Sequence, residues 1–434
     1  MSSAATAAET MITQRPRGTL DITPAESPRW RHIEAVARDV CRRYGYGEIR
    51  TPIFEHTELF SRSVGEFTDV VEKEMYTFDD RGGRSLTLRP EGTAPAARLY
   101  LEERLYAEAG PSKIYYLSWP IFRYERPQAG RLRQHHQFGV ECFGSADPAV
   151  DAEIIALARD FLGELGLDEL IVGLNSMGCP GCRTGYREAL RDHFEPHLDA
   201  MCDDCRRRHG QNPLRLLDCK REECAPFIAT APAITDHLCD DCRADFEQLQ
   251  KYLVSLGIDY RLDPSLVRGF DYYTGTVFEI THRALGAQDV VCGGGRYDGL
   301  VETLGGDPAP GVGFGLGIER LLLILEKEGA ALPGPEPLDV FVVCVGDEPR
   351  ARALEWVHRL RSEGLAADMD YMDRSFRAQM RRADKYPARF AALLGEDELA
   401  AGKITLKDMT AGTQETLGAE EALALLRDRG RDER

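Results

Sequence analysis

The spacing of apolar positions predicts a helix over residues 29–45, stopped at Gly45, and then the rhythm changes. A strand entered through Arg50-Thr51-Pro52 follows. Short strand-like runs then alternate with loops: MYTFDD (75–80), SLTLRP (85–90), IYYLSW (114–119), IFRYER (121–126) and HQFGVECFG (136–144). One helix, EGTAPAARLYLEERLYAE (91–108), interrupts them, and a helix at 150–165 and a short strand at 169–174 come next. This is mostly antiparallel sheet with a few helices, an α+β pattern rather than repeated βαβ units. The strand-rich style resumes near residue 262. QDVVCGGGRYDGL (288–300) and GVGFGLGIERLLLIL (311–325) each give strand, glycine run and helix. AALPGPEPLD (330–339) is a Pro- and Gly-rich linker. Beyond it VFVVCVG, a helix at 349–363, AADMDY, a basic helix, FAALLGEDE and KITLKD alternate strand and helix. That alternation predicts a small three-layer α/β domain with a mainly parallel sheet.

The glycine runs invite a dinucleotide-binding reading, which fails. Counted from Gly293 and Gly295 the third glycine position is Asp298, and from Gly313 and Gly315 it is Ile318. No GxxxxGK[S/T] occurs, which excludes a P-loop. What remains is glycine inside strands, where it signals close approach by a ligand or by another backbone. Gly313, Gly315 and Gly317 sit two apart and would share one face, a bare floor ending at Arg320. A flat ring such as adenine would fit there with Arg320 over it or on its phosphates; tight helix–sheet packing is the alternative.

At 434 residues the chain is too long for one core, and two or three domains are expected. The longest aliphatic run, Leu321–Leu325, is far short of a membrane span. MSSAATAAETMITQ lacks a basic start and an apolar core, so it reads as a disordered lead and not a secretory signal, and the protein is expected in the cytoplasm. A net charge of −18 confines any nucleic-acid contact to local basic patches. One is RSFRAQMRRADKYPAR (374–389), where Arg374, Arg377, Arg381 and Lys385 share a helical stripe; a solvated face is the plain alternative. The other is FRYERPQAGRLR (122–133), which gathers Arg123, Arg126, Arg131 and Arg133 around a turn suited to phosphate.

Eight of the twelve cysteines fall in four pairs: Cys179/Cys182, Cys202/Cys205, Cys219/Cys224 and Cys239/Cys242. Such spacing puts two thiolates on one metal, so four pairs make up to two tetrahedral zinc sites. A disulfide framework is the rival, with no sign of an oxidising compartment to favour it. The pairing of pairs stays open, and Cys219/Cys224 has the wider spacing. The zinc would be structural.

One stretch, LVRGFDYYTGTVFEI (266–280), loads a strand entry with Arg268, Asp271, Tyr272 and Tyr273 around Gly269. Together with RTPIFEHTELFSRSVGEFTDVVEKEMYTF, TLRPEGT, FRYERPQAGRLRQHHQFGVECFG, GGGRYDGL and GFGLGIERLLLIL, it resembles the histidyl-tRNA synthetase family of class II aminoacyl-tRNA synthetases from about Arg15 to the end. The resemblance implies an antiparallel catalytic sheet with three class motifs: around Pro52 at a dimer interface, over 115–143, and over 311–325. The domains expected are a lead (1–14), a catalytic core in two parts (15–172 and 262–329), a Cys-rich helical insertion (173–261), a linker (330–337) and an anticodon-binding domain (338–434).

Residue by residue, the resemblance implies that Arg268 and Arg123 meet the α-phosphate of ATP and that Arg320 meets the γ-phosphate and adenine. Glu125 and Gly317 complete the ATP site. Glu91, Thr93 and Gln137 would take the histidine amino group, Glu141 and Tyr273 the imidazole nitrogens, and Tyr272 and Tyr297 would line the pocket. Arg126 and Gln128 would meet the tRNA acceptor end, with Arg377 and Arg381 as further tRNA contacts. The implied reaction joins L-histidine to tRNA(His), with ATP and Mg²⁺, on a homodimer with no membrane attachment. Phe270 and His135 depart from the family's more frequent Leu and Phe, and the eight-cysteine insertion occurs in only some members. A catalytically silent paralogue in histidine biosynthesis tends to lose both the RG-DYY segment and the C-terminal domain. Here residues 266–273 and 338–434 supply them. A zinc-knuckle nucleic-acid module would leave the acidic charge and the glycine-rich sheet without a reason.

Overall fold

The longest strands form a hairpin, and the large sheet grows outward from it. In chain order the strands of the first unit are β1 (Gly47–Glu48), β2 (Phe54–His56), β3 (Tyr76–Asp79), β4 (Ser85–Leu88), β5 (Ser112–Phe122), β6 (Gln134–Phe143), β7 (Leu170–Ser176), β8 (Tyr260–Leu262), β9 (Thr274–His282), β10 (Val290–Arg296) and β11 (Gly311–Gly317). The C-terminal unit adds β12 (Leu338–Cys344), β13 (Ala367–Met369), β14 (Ala388–Leu394), β15 (Lys403–Asp408) and β16 (Gln414–Gly418). The computed structural model describes residues 13–65, 68–128, 130–282, 290–385 and 387–431. The expected N-terminal lead falls almost wholly outside them. The chain divides between Pro333 and Gly334 into two compact units.

Eight strands of the first unit make one sheet in the order β1-β5-β6-β11-β10-β9-β7-β8. Its inner pairings are antiparallel, and only the outermost, β1/β5 and β7/β8, are parallel. β2, β4 and β3 form a small separate sheet. Side chains alternate across β6 and β11, so Phe138 and Phe314 pack together with ring centroids 5.6 Å apart, and Phe138 meets Phe161 of the helix Pro148–Glu164 at 4.9 Å. That helix starts cleanly because Pro148 opens it and the Asp147 carboxylate accepts from Ala149 N at 2.9 Å. Each large aromatic buried here adds about 1.5–3 kcal/mol. The other face of β6 carries Gln137 and Glu141, and it holds the cavity described below.

Three local readings change. IYYLSW continues into the first two residues of IFRYER as one strand, β5, because Ser118 adopts a φ of 54° and the register slips between Tyr116 and Trp119, a bulge that bends without ending the strand; residues 123–126 lie beyond it. The helix expected to reach residue 108 stops at Glu102, since Arg104 turns left-handed at φ 55°. The stretch 266–273 is turns, and β9 begins only at Thr274.

In the C-terminal unit the order is β13-β12-β14-β15-β16. β12 runs parallel to β13 and β14, but β14/β15 and β15/β16 are antiparallel, so the sheet is mixed and not mainly parallel. The turn after β15, with Gly412 at φ 71°, returns the chain as β16, a strand whose pattern QETLG is too polar to read. Three layers are present. Val340 and Val342 pack with Trp356, Leu360, Leu423 and Leu426 on one side. Phe341 and Val343 pack with Ala383 on the other. No helix among the described residues is long and apolar enough to cross a membrane.

Candidate active site

The glycine strands make room for neighbouring side chains. β10, β11 and β6 lie side by side, with Gly313 opposite Glu141 and Gly317 opposite Gln137. A Cβ on Gly313 would lie 2.0 Å from Glu141 Oε2, and one on Gly315 would lie 2.3 Å from Gln137 Nε2. On Gly293 it would meet Arg268 Nη2 at 2.5 Å. Three functional side chains therefore rest directly on backbone. The bare floor expected along Gly313, Gly315 and Gly317 is thus covered over its first two glycines. Only over Gly317 is the space open. A ring lying on this strand is confined to that end.

A cavity of about 350 Å³ sits on this face, lined by Glu91, Thr93, Gln137, Tyr272, Tyr273 and Tyr297 and by the cations Arg123, Arg131 and Arg268. That volume suits a small ligand. Glu141 lies beneath it and is buried. Its Oε1 accepts from Thr93 Oγ1 at 2.8 Å and from the Tyr116 hydroxyl at 3.3 Å, and its Oε2 accepts from the Tyr297 hydroxyl. Burial pushes its pKa up to about 8, and the neighbouring Glu91 adds to the rise against the hydrogen bonds from Tyr297 and Thr93. Glu91 caps the helix Thr93–Glu102, accepting from Thr93 N at 2.7 Å and Ala94 N at 2.8 Å. Burial raises its pKa as well. The phenols of Tyr272, Tyr273 and Tyr297 are all pushed above their ordinary value by burial, so they are neutral donors near pH 7.

Two of the three expected catalytic arginines, Arg123 and Arg268, line this cavity. Arg268 pairs with Glu279 at 2.5 Å and lies 5.5 Å from the centre of the Tyr273 ring. Burial alone would lower its pKa; its contacts with Tyr273 and the Glu279 carboxylate more than offset that and hold it charged. Arg123 donates through Nε to Pro90 O at 2.8 Å and lies over the Phe270 ring at 5.4 Å. Arg320 does not line the cavity. Its Nη1 donates to Val290 O at 2.7 Å, at the start of the helix Ile318–Lys327, beside the open floor at Gly317. Glu125 is paired with Arg131, so the cation that reaches the cavity from that pair is Arg131.

Sequence reading passed over Tyr116 and Glu279, and named Arg131 only as part of the phosphate-suited patch at 122–133. Tyr116 stacks on Trp119 with centroids 4.4 Å apart and fills space that a Cβ on Gly92 or Gly139 would take. Its signal was the glycine on each facing segment. Glu279 stood inside the quoted strand as a lone carboxylate among apolar residues.

Outside the cavity, Arg126 and Gln128 are exposed on a hairpin closed by mutual backbone hydrogen bonds of 3.0 Å between Gln128 and Arg131. In the C-terminal unit Arg377 and Arg381 are exposed, whereas Arg374 is taken by the buried Asp370 at 3.0 Å. The cysteines gather in two groups of four, Cys179/Cys182/Cys239/Cys242 and Cys202/Cys205/Cys219/Cys224, with all sulfurs of a group within 4.8 Å of one another. The pairing left open by spacing is thus outer pair with outer pair and inner with inner.

A ligand cavity on one face of an eight-stranded, largely antiparallel sheet, with glycines under the functional side chains, is the core of a class II aminoacyl-tRNA synthetase. Residues 18–321 match the histidyl-tRNA synthetase family and residues 339–429 match the anticodon binding domain. The histidine–tRNA ligase of Pelotomaculum thermopropionicum is 55% identical over 419 residues, covering 96% of this chain and 98% of that protein. That of Caldanaerobacter subterraneus is 54% identical over 411 residues, covering 95% and 98%. The apo crystal structure of S. aureus histidyl-tRNA synthetase superposes with a TM-score of 0.81 at 42% identity, covering 96% of this chain and all of that one. The chain belongs to the histidyl-tRNA synthetase family.

Proposed function

We propose that this chain performs the ATP-dependent ligation of L-histidine to tRNA(His) through a histidyl-adenylate at the cavity between β6, β10 and β11. The observation that carries this reading is the meeting of Arg123 and Arg268 with a buried carboxylate–phenol pocket in one hollow. A carboxylate oxygen of histidine attacks the α-phosphorus of MgATP, the bond to the β-phosphate oxygen breaks, and pyrophosphate leaves. The terminal ribose hydroxyl of tRNA then takes the histidyl group, and AMP leaves. The attacking carboxylate is already ionised at pH 7, so the first step needs positioning and charge stabilisation and no general base.

Arg268 and Arg123 hold the α-phosphate, and Arg320 with Gly317 takes the adenine and γ-phosphate end. Glu125 and its partner Arg131 close the ATP side. Glu91, Thr93 and Gln137 receive the amino group, Glu141 and Tyr273 the imidazole nitrogens, and Tyr272 and Tyr297 the ring faces. Two satisfied ring nitrogens would leave buried polar groups unpaired against any apolar amino acid. Histidine-dependent exchange of labelled pyrophosphate into ATP tests the reading. Absence of exchange by purified protein would instead favour a non-catalytic paralogue.

Four thiols at such close range suit a tetrahedral zinc, and each cysteine group would hold one ion that cross-links the insertion. Elemental analysis of protein purified without chelator is expected to give two zinc ions per chain. A zinc-free sample that is fully folded would exclude the metal. Arg126 and Gln128 face the acceptor end, and Arg377 and Arg381 contact the tRNA backbone. Changing Arg377 and Arg381 to Glu is expected to lower aminoacylation about tenfold or more at physiological salt while leaving pyrophosphate exchange unchanged. Equal loss in both assays would point to misfolding. We read the protein as a cytoplasmic homodimer joined near Pro52, with a mass in solution of twice 48.5 kDa.

A further inference from the structure

The segment that carries Arg268, Phe270, Tyr272 and Tyr273 has little scaffold of its own. Between Val267 and Tyr273 its N–H groups make one backbone hydrogen bond among the described residues, Asp271 N to Val64 O at 3.2 Å. No helix or strand includes it. With so few backbone hydrogen bonds, the loop depends on its buried side chains and on neighbouring elements for its position. Yet it must hold four side chains around one cavity.

The support comes from the cysteine-rich insertion. Arg183 Nη1 donates to Tyr273 O at 3.1 Å and reaches Asp271 O at 3.5 Å. Arg215 Nη2 donates to Gly269 O at 2.6 Å and lies 3.6 Å from the Asp271 carboxylate, which also accepts from Asn212 Nδ2 at 3.3 Å. The carbonyls of 269, 271 and 273 are thus held from outside by two arginines. Arg183, Arg215 and Arg268 line one small cavity of about 20 Å³, so both insertion arginines border the same void as the residue they would steady. Arg215 and Asp218 also reach the rim of the large cavity.

Each arginine is tied to a different cysteine group. Arg183 follows Cys182 on the helix Pro180–Phe194, and Arg215 stands between Cys205 and Cys219 on a short turn. Most of the chain from 195 to 239 is short helices and turns, held by buried side chains such as Met201, Leu214 and Leu216 together with the two thiol groups.

We propose that Arg183 and Arg215 are positioning residues for histidine recognition, and that the insertion, locked by its two cysteine groups, clamps the 268–273 segment. The proposal rests on the reading of that segment as the histidine site. Arg183→Ala and Arg215→Ala are expected to raise the KM for histidine about tenfold each, the loss of one charged hydrogen bond. The KM for ATP should stay within about twofold and the metal content should be unchanged. Arg183→Lys, which keeps a cationic donor for one carbonyl, should recover part of the loss. Hydrogen–deuterium exchange supplies a readout independent of catalysis: peptides spanning 266–273 should exchange faster in both alanine variants, and those from β9 should not. Stripping the metal from the wild-type protein should speed exchange in the same peptides. Unchanged exchange there with full metal content overturns the clamp, as does an equal rise in both KM values. A wild-type enzyme without histidine-dependent activity would sink the functional reading, while the exchange measurement would still decide the clamp.

Discussion

Arg268→Ala is expected to lower histidine-dependent pyrophosphate exchange by on the order of 10²–10³-fold, with ATP affinity changed less than about tenfold. The argument starts from what the fold spends on this side chain. Its guanidinium rests against Gly293, where a Cβ would come within 2.5 Å of Nη2, and Glu279 pairs with it at 2.5 Å. A charged group held this way costs no reorganisation when negative charge builds on a phosphorus beside it. Gly293→Ala offers a second route to the same end. The atom in the way is the far end of a flexible side chain, so the fold survives by moving Arg268, and exchange should fall in the same direction. If Arg268→Ala keeps full rate, the phosphate role passes to Arg123 and the charge at 268 is only the partner of Glu279.

Much of this site could be read from the chain, and the reasons differ by residue. Glycines at alternate positions in 293–295 and 313–317 pointed to close approach, and the structure brings Arg268, Glu141 and Gln137 onto them. The direction of approach was not legible, because a glycine does not say which neighbour fills its space. That is why the adenine floor shrinks to Gly317. Tyr116 was passed over for the same reason: its glycines lie on other segments, Gly139 brought under its ring by the β5/β6 register and Gly92 by the start of the helix Thr93–Glu102. Arg320 was placed by its position after a glycine run, and its actual hydrogen bond to Val290 O depends on how β10 and β11 pair. In the C-terminal unit the parallel strands were visible as apolar runs buried on both faces. The antiparallel β16 was not, since its polar edge sequence lacks that pattern. The cysteine pairing needed three-dimensional proximity, which spacing alone does not carry.

The second large effect concerns selection of histidine. Glu141→Gln is expected to raise the KM for histidine about 10–100-fold near pH 7.5, the range for one hydrogen bond to a charged or proton-sharing group. Thr93, Tyr116 and Tyr297 all donate to Glu141, so an amide in its place forces one of these hydroxyls to reverse. The pH dependence follows from the raised pKa. In the folded protein Glu141 keeps its proton until about pH 8, against an ordinary value of 4.5. Its contribution to stability is therefore full below pH 4.5 and is lost as pH rises through about 8. Free histidine loses its imidazole proton near pH 6.5. Between roughly 6.5 and 8 the enzyme already carries the single proton that the carboxyl–imidazole pair shares, so binding takes up none. Above about pH 8 binding must take up a proton, and the KM for histidine should rise about tenfold per pH unit. In Glu141→Gln that alkaline limb should vanish, because the amide does not titrate. A variant that keeps both the wild-type KM and the alkaline limb assigns imidazole recognition to another group.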